Sequence, residues 1–147
     1  MDHIAIMKKS WRLTEKILSG EKTIESRWYV SRVSPWGRIR CGETVYIKDS
    51  GSPVTAKAIV DKVFQFSELT PDKVKAVLED HSKGLGITPN DIPIFFDRFK
   101  DKRYCILVFL KTPQEIPPFE IDKTGFGLMS AWISTEDINR IKRHGQI

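Results

Sequence analysis

Three charged residues lie close together where a helix pattern gives way to a strand pattern. Lys22, Glu25 and Arg27 belong to the segment GEKTIESR at positions 20–27. Lysine and arginine are suited to phosphate groups and to the acceptor atoms of a nucleobase. A carboxylate accepts a hydrogen bond from an exocyclic amine, as it does on cytosine. These residue types are suited to contacts with phosphate groups and nucleobases.

The next stretch of the chain interleaves aromatic and basic side chains. Its members are Trp28, Tyr29, Arg32, Trp36, Arg38 and Arg40. Single-stranded nucleic acid requires this combination, because bases stack on rings while guanidinium groups hold the backbone. We therefore expect the first four of these residues to contact the ligand. In the alternative interpretation, Trp28 and Trp36 only anchor the loop.

Strict alternation along a strand separates the three charges of the first segment. It places Thr23, Glu25 and Arg27 on one face and Lys22 on the other. The charges converge only if Lys22 still lies in the turn, or if a bulge interrupts the strand. The alternative is a buried ion pair between Glu25 and Arg27 that ties the strand to the fold, with Lys22 on the surface.

The basic residues are distributed unevenly along the chain. In total there are 24 basic and 19 acidic residues, which gives a net charge of +5. Residues 1–48 hold ten basic and five acidic residues, whereas residues 49–147 hold fourteen of each. The whole excess lies in the first third, which predicts a surface that faces a polyanion. The alternative is a basic face that is merely solvated.

The pattern of cysteines and histidines predicts no metal site. Cys41 and Cys105 form no CxxC motif, and His3, His81 and His144 lack zinc-ligand spacing. Free thiols of this kind are typical of a reducing compartment. No Ser-His-Asp arrangement, phosphate-binding glycine loop or HExxH motif is recognisable, and we expect no cofactor.

The elements that position these residues are mostly strands. Alternating or continuous apolar patterns predict strands over residues 3–7, 22–28, 44–48, 54–66, 103–111 and 130–133. Residues 29–41 read as a long loop, and residues 113–119 as an extended connector.

Helices are predicted at both ends of the chain and in its middle. Ser10 caps a helix that Gly20 ends, and Ser134 opens a terminal helix. Thr70 and Thr88, each followed by proline, start two further helices over about 70–100. The whole pattern is that of a barrel interrupted by one helical pair.

The segment GEKTIESR fits the pattern GxKxxExR, and the chain thereby resembles the ASCH domains of the PUA-like superfamily. A helix that ends in Leu-Ser-Gly precedes it, and GETVYIK at positions 42–48 resembles the family's next strand. The resemblance covers residues 3–66 and, more weakly, 103–133. It implies an α+β fold, a PUA-like mixed β pseudobarrel with flanking helices and a helical insertion around 70–100.

The resemblance also implies a function. It predicts an RNA-binding or modified-nucleobase-binding module, whose cleft lies beside Lys22, Glu25 and Arg27. Lys48 and Ser50 are further candidates for ligand contacts, because they end the strand expected beside the motif.

The alternative function is a small hydrolase. Some bacterial proteins of this family are amidohydrolases of acetylated cytidine, and others are reported as ribonucleases. The amidohydrolase pattern keeps the motif lysine, here Lys22, but has a threonine nucleophile where this chain has Glu25. A carboxylate cannot replace a hydroxyl that must form an acyl ester, and Thr23 should point elsewhere. Lys22 and Glu25 remain candidates for an acid–base pair, and a lysine–tyrosine ribonuclease site remains a further possibility.

The length of 147 residues favours a single domain over residues 1–147. The longest apolar run, Tyr104 to Leu110, is far shorter than the ~20 residues that span a bilayer. No signal peptide is recognisable at the N-terminus. We therefore expect a cytoplasmic monomer without a membrane partner.

Overall fold

The computed structural model describes residues 1–127 and 130–143. Its main elements are β1 (Asp2–Met7), α1 (Leu13–Ser19), β2 (Ile24–Tyr29), β3 (Thr44–Asp49), β4 (Val54–Phe66), α2 (Pro71–Leu85), α3 (Ile92–Phe99), β5 (Tyr104–Phe119) and β6 (Trp132–Thr135). Short 3-10 helices occupy Lys9–Trp11, Pro89–Asp91 and Ile138–Arg140.

The strands form one mixed sheet in the order β2-β5-β4-β3-β1-β6. β1 and β3 are parallel, and the other neighbouring pairs are antiparallel. The sheet curls into a half-barrel with β2 at one edge and β6 at the other. This architecture confirms the α+β class and the mixed, curled sheet with flanking helices predicted from the sequence.

β5 carries apolar side chains on both faces because both faces are covered. Ile106 and Val108 pack into the core inside the curled sheet. Cys105 and Leu107 face the opposite side and pack with residues of α2 and α3. The helical pair therefore covers the outer face of the sheet, as the insertion hypothesis predicts. Within the described ranges, no helix is long and apolar enough to cross a bilayer.

The first helix begins later than predicted. The sequence placed its cap at Ser10, but Lys9–Trp11 forms a 3-10 turn and α1 starts only after Arg12. Arg12 separates the two because its backbone is left-handed, with φ of 54°. Gly20 ends α1 with φ of 84°, as predicted, because glycine enters this region without a Cβ clash.

Two strands also have different bounds from those predicted. β2 begins at Ile24 rather than at Lys22. β5 continues through residues 113–119, which the sequence assigned to a connector, and this part still pairs with β4. Its prolines are tolerated because β2 pairs with β5 only up to Phe109, so one side of the later segment carries no partner strand.

The C-terminal region departs most from the prediction. β6 covers Trp132–Thr135 instead of 130–133, and the terminal helix expected from Ser134 is only the 3-10 turn at Ile138–Arg140. The hydroxyl of Ser134 bonds the ring of His3 at 2.9 Å, so it does not cap a helix. Asp137 caps the short turn instead.

His3 is fully buried in β1, and both of its ring nitrogens have partners. Trp132 Nε1–H donates to His3 Nδ1 at 3.3 Å. His3 Nε2 therefore carries the ring proton and donates to Glu43 Oε1 at 2.9 Å. Burial lowers the pKa of His3, although the hydrogen bond and charge of Glu43 oppose that shift. The native state thus favours the neutral imidazole.

We expect the stability of the protein to fall on mild acidification through His3. The unfolded chain binds the proton more readily than native His3, so the free energy of unfolding decreases as the pH drops below about 6.5. Urea unfolding at a series of pH values between about 7 and 5 measures this slope. The His3→Gln variant should show a shallower slope over that window. Equal slopes in the two proteins would contradict the assignment.

Candidate functional site

The charged segment converges on one side of the molecule because Lys22 precedes the strand. Gly20 ends α1, and β2 begins at Ile24, so Lys22 lies in the connection between them. Strand alternation therefore does not apply to it, and Lys22 and Glu25 line the same cavity. This is the turn geometry that the sequence required for convergence. Thr23 is exposed and lies outside the cavity.

Two cavities together form one cleft along β2. The inner chamber has a volume of about 330 Å³ and includes Lys22. The outer chamber has a volume of about 470 Å³ and includes Arg27 and Ser50. Both chambers share the residues Trp11, Leu13, Glu25, Ser26, Arg98 and Phe99. Because the lining is shared, a single ligand can extend from one chamber into the other.

Lys22 is buried rather than exposed, with 5% of its surface accessible. Its Nζ donates to the carbonyl of Leu85 at 3.1 Å. Burial lowers the pKa of Lys22 because water no longer solvates the ammonium; Glu25 opposes this shift, whereas Arg27 and Lys16 add to it. The side chain is therefore a buried donor whose charge is incompletely compensated.

The end of α2 holds the Lys22 segment in place. Gly84 O accepts a hydrogen bond from the Thr23 backbone at 2.8 Å. A Cβ on Gly84 would collide with the side chain of Ile24, and one on Gly86 would lie 3.2 Å from Lys22 Cβ. The absence of side chains at these two glycines therefore permits the close approach of α2 to the site.

Glu25 and Arg27 form a buried ion pair, which was the alternative interpretation of the motif. Arg27 Nε lies 3.6 Å from Glu25 Oε1, and their side chains are 11% and 7% exposed. Arg27 also donates to the carbonyls of Ala131 at 3.0 Å and Ile6 at 3.4 Å. Since β2 and β6 are opposite edges of the sheet, Arg27 links the two ends of the curled half-barrel.

Two polar atoms of the Glu25–Arg27 pair have no hydrogen-bond partner. Glu25 Oε2 is buried and has no hydrogen-bond partner, and neither has Arg27 Nε, whose distance to Glu25 is too long for a hydrogen bond. Glu25 lines both chambers. A buried carboxylate oxygen without a partner is costly, and a ligand that donates a hydrogen bond in the cleft would satisfy it.

The aromatic residues predicted to bind ligand are divided between the cleft and the core. Trp28 lines the outer chamber but is only 7% exposed, because its ring stacks on Phe99 at 4.7 Å. Tyr29 is half-buried and also lines the outer chamber. Trp36 lies outside both chambers and packs edge-on against Tyr104 at 5.2 Å.

The remaining predicted residues lie mostly outside the cleft. Arg32 stacks over Trp36 at 5.9 Å and lines neither chamber. Lys48 is buried next to Lys123, and burial together with that charge lowers its pKa. It lines neither chamber, whereas the neighbouring Ser50 is exposed at the outer one.

Sequence analysis missed the residues that the 3-10 turn and α3 contribute. Trp11 and Arg98 line both chambers, and Phe95 lines the inner one. The sequence predicts the helical pair only as an insertion, and no site residue among its phenylalanines Phe95, Phe96 and Phe99. One signal was present: Arg98 stands among these phenylalanines on a helix with an otherwise apolar face. In the described ranges, no cluster of three or more potential metal ligands occurs.

Solved structures of other proteins share the fold of this chain. No protein-family model and no curated protein matches this sequence. The structure is similar to the crystal structure of ASCH from Zymomonas mobilis, with a TM-score of 0.64 and 14% identity over 95% of this chain and 91% of that chain. A serine-to-alanine mutant of the same protein gives a TM-score of 0.66, with the same identity and coverage.

The fold is that of an ASCH domain. A protein from Enterococcus faecalis V583 is also similar, with a TM-score of 0.51 and 14% identity over 71% of this chain and 68% of that chain. The resemblance inferred from the GxKxxExR pattern is thereby confirmed at the level of the fold. The cleft described above lies in this ASCH fold beside the segment that suggested it.

Proposed function

We propose that this ASCH-fold protein is a nucleic-acid-binding module, which binds RNA or a modified nucleobase in the cleft of Lys22, Glu25 and Arg27. The observation that carries the proposal is the buried Glu25 Oε2, an acceptor without a hydrogen-bond partner on a residue that lines both chambers. An exocyclic amine of a nucleobase is a donor of the required kind.

The charge of the cleft supports an anionic ligand. Among the described residues that line the two chambers, Glu25 is the one acidic residue. The basic residues that line them are Lys8, Lys16, Lys22, Arg27, Arg98 and Lys123. This excess of positive charge attracts phosphate groups and favours their binding.

The apolar part of the lining supports a flat ligand. Trp11, Phe95 and Phe99 line the inner chamber together with Leu85 and Ile87. Rings and aliphatic side chains of this kind provide surface for the face of a base, while Glu25 bonds its edge. The combination distinguishes a nucleobase from a simple inorganic anion, which needs no apolar surface.

The test is a titration of fluorescent single-stranded RNA and of nucleosides with Glu25→Gln. We expect this variant to lose about 1–3 kcal/mol of binding free energy, because the amide replaces an acceptor oxygen by a donor. Glu21→Gln is the matched control, since Glu21 is exposed four residues earlier in the same segment and lines neither chamber. Thermal melts of the same variants report whether they fold.

The proposal would be overturned if Glu25→Gln lowered stability while the folded fraction bound every probe as tightly as the wild type. In that case the Glu25–Arg27 pair would serve the fold alone.

One observation favours a second candidate, a hydrolase that acts on RNA or a modified nucleoside. Lys22 combines a lowered pKa with a cavity position beside a carboxylate, and such pairs occur in acid–base catalysis. Multiple turnover of RNA or of a nucleoside by the wild-type protein would support this candidate over simple binding.

A further inference from the structure

Arg98 and Trp11 meet at the boundary between the two chambers. The guanidinium of Arg98, which α3 contributes, lies 4.4 Å from the ring centre of Trp11 and 5.5 Å from that of Phe95. Lys8 Nζ lies 4.9 Å from the same ring of Trp11. Trp11 is 37% exposed despite its size. Arg98 and Trp11 thus place a cation against an aromatic ring in the lining that the two chambers share.

Arg98 keeps its hydrogen-bonding capacity free. Within residues 1–127 and 130–143, no oxygen atom accepts a hydrogen bond from its guanidinium, and no carboxylate pairs with it. A guanidinium that stacks through its face leaves its N–H groups available in the plane. These groups form the two-pronged donor that matches a phosphate.

Three of the other cations that line the cleft already donate to a backbone carbonyl, whereas Lys8 and Lys16 carry an ammonium, which lacks the planar two-pronged donor of a guanidinium. Lys22 donates to the carbonyl of Leu85, and Arg27 donates to the carbonyls of Ala131 and Ile6. Lys123 Nζ donates to the carbonyl of Ser130 at 3.3 Å. The charges of Lys22, Arg27 and Lys123 contribute to the field in the cleft, but each of these side chains already spends at least one donor on the protein.

We propose that Arg98 binds a phosphate group of the ligand, so that the cleft accepts a phosphorylated nucleotide unit in preference to a free base or nucleoside. The inference rests on the proposed function, because it assumes that the base edge meets Glu25. Trp11 and Phe95 are positioning residues, since their rings hold the guanidinium by cation–π contacts and offer no oxygen to its donors. The phosphate belongs either to a free nucleotide or to an RNA strand.

The experiment compares three classes of probe by calorimetric titration. The probes are the four ribonucleosides, their 5′- and 3′-monophosphates, and short single-stranded RNAs. We expect a preferred nucleotide to bind about 10- to 100-fold more tightly than its nucleoside, as hydrogen bonds to a charged group provide. Tight binding of monophosphates indicates a free nucleotide, whereas affinity that appears only with the longer probes indicates an RNA strand.

Variants at Arg98 identify the group responsible. Arg98→Ala should remove the preference for the phosphorylated probe and leave nucleoside affinity within about twofold, because the inner chamber keeps Glu25. For RNA, the slope of affinity against salt should decrease by about one. Trp11→Leu should reduce the same preference by disordering the guanidinium. Lys100→Ala is the control for lost charge, since Lys100 follows α3 and lines neither chamber.

Three results would overturn the inference. The first is equal affinity of the wild type for nucleosides and nucleotides. The second is an equal loss for both classes of probe in Arg98→Ala, which would assign the residue to support of the cleft wall. The third is loss of the preference in Arg32→Ala instead.

Failure of this inference is distinguishable from failure of the proposed function. If nucleosides bind and Glu25→Gln weakens them, the proposed function stands even where phosphate adds nothing. If no probe binds the wild type, both proposals fail.

Discussion

Replacing Arg27 by alanine should lower the free energy of unfolding by about 3–5 kcal/mol. The side chain is 89% buried and pairs with Glu25, which is buried to a similar extent. Without Arg27, the Glu25 carboxylate loses the cation with which it is paired in a poorly solvated site. The carbonyls of Ala131 and Ile6 also lose a donor, and with it the link between the two edges of the sheet.

Urea unfolding measures this effect, and Arg140→Ala provides the comparison. Arg140 pairs with Glu136 at 2.9 Å, a shorter distance than the 3.6 Å between Arg27 and Glu25. Both partners of that surface pair are mostly exposed, so its loss should change stability by only about 0–1 kcal/mol. Burial, and not distance, is expected to decide which substitution is severe.

A double-mutant cycle separates the pair from its surroundings. Glu25→Gln removes the buried charge, so Arg27→Ala should destabilise the Glu25→Gln protein less than it destabilises the wild type. Additive losses in the cycle, or a loss below about 1 kcal/mol for Arg27→Ala alone, would show that the pair is effectively solvated.

Much of the fold could be predicted because residues that are neighbours in the sequence determine the local structure. The alternation of apolar and polar residues gave both ends of β4 correctly, and Thr70 before a proline marked the start of α2. The apolar run of β5 correctly indicated a strand covered on both faces. These features depend on neighbours in the sequence, and so a pattern along the chain reveals them.

The errors arose where distant residues compete for the same group. Ser134 was expected to cap a helix, but its hydroxyl bonds His3, which lies 131 positions away in the sequence. Arg12 adopts a left-handed backbone conformation that no rule on residue type would assign to arginine. Both outcomes depend on tertiary contacts, which periodicity and capping rules do not contain.

The candidate site could be predicted only in its centre. Lys22 and Glu25 could be singled out because a known pattern of types and spacing contains them. Trp11 and Arg98 could not, because their contact joins positions that are 87 residues apart and no spacing rule relates them. Arg32 and Trp36 are the opposite error. Their residue types suggested ligand contacts, but neither residue lines a chamber.

Replacing Lys22 by methionine should raise stability and weaken ligand binding at the same time. A buried ammonium with one carbonyl partner is poorly solvated, and methionine fills a similar volume without charge. We expect a gain of about 1 kcal/mol in the free energy of unfolding. Binding of RNA or nucleotide should weaken about tenfold or more, because the inner chamber loses a buried charged donor.

The pH dependence of this gain follows from the lowered pKa of Lys22. The unfolded chain keeps the ordinary pKa of lysine, about 10.5, and therefore holds its proton to higher pH than the native state does. The wild type gains stability as the pH rises towards that value, because the buried ammonium is neutralised. The advantage of Lys22→Met over the wild type should therefore shrink as the pH rises towards the ordinary pKa of lysine.

Lys48→Met is the control that distinguishes a role of Lys22 in ligand binding from the effect of burying any lysine. Lys48 is also a buried lysine with a lowered pKa, but it lines neither chamber. We expect this variant to gain stability in the same way and to bind ligand like the wild type. A loss of affinity in Lys48→Met would instead support the sequence-based prediction that this residue contacts the ligand.

If Lys22→Met raises stability and weakens binding, Lys22 is retained for function. Replacing a side chain that is retained for the fold would lower the stability of the protein, as we expect for Arg27. If Lys22→Met destabilises the protein and its folded fraction binds ligand normally, Lys22 serves the end of α2 and not the ligand. If the wild type instead turns over RNA or a nucleoside and Lys22→Met abolishes that turnover while binding persists, the lysine takes part in hydrolysis and the second candidate function holds.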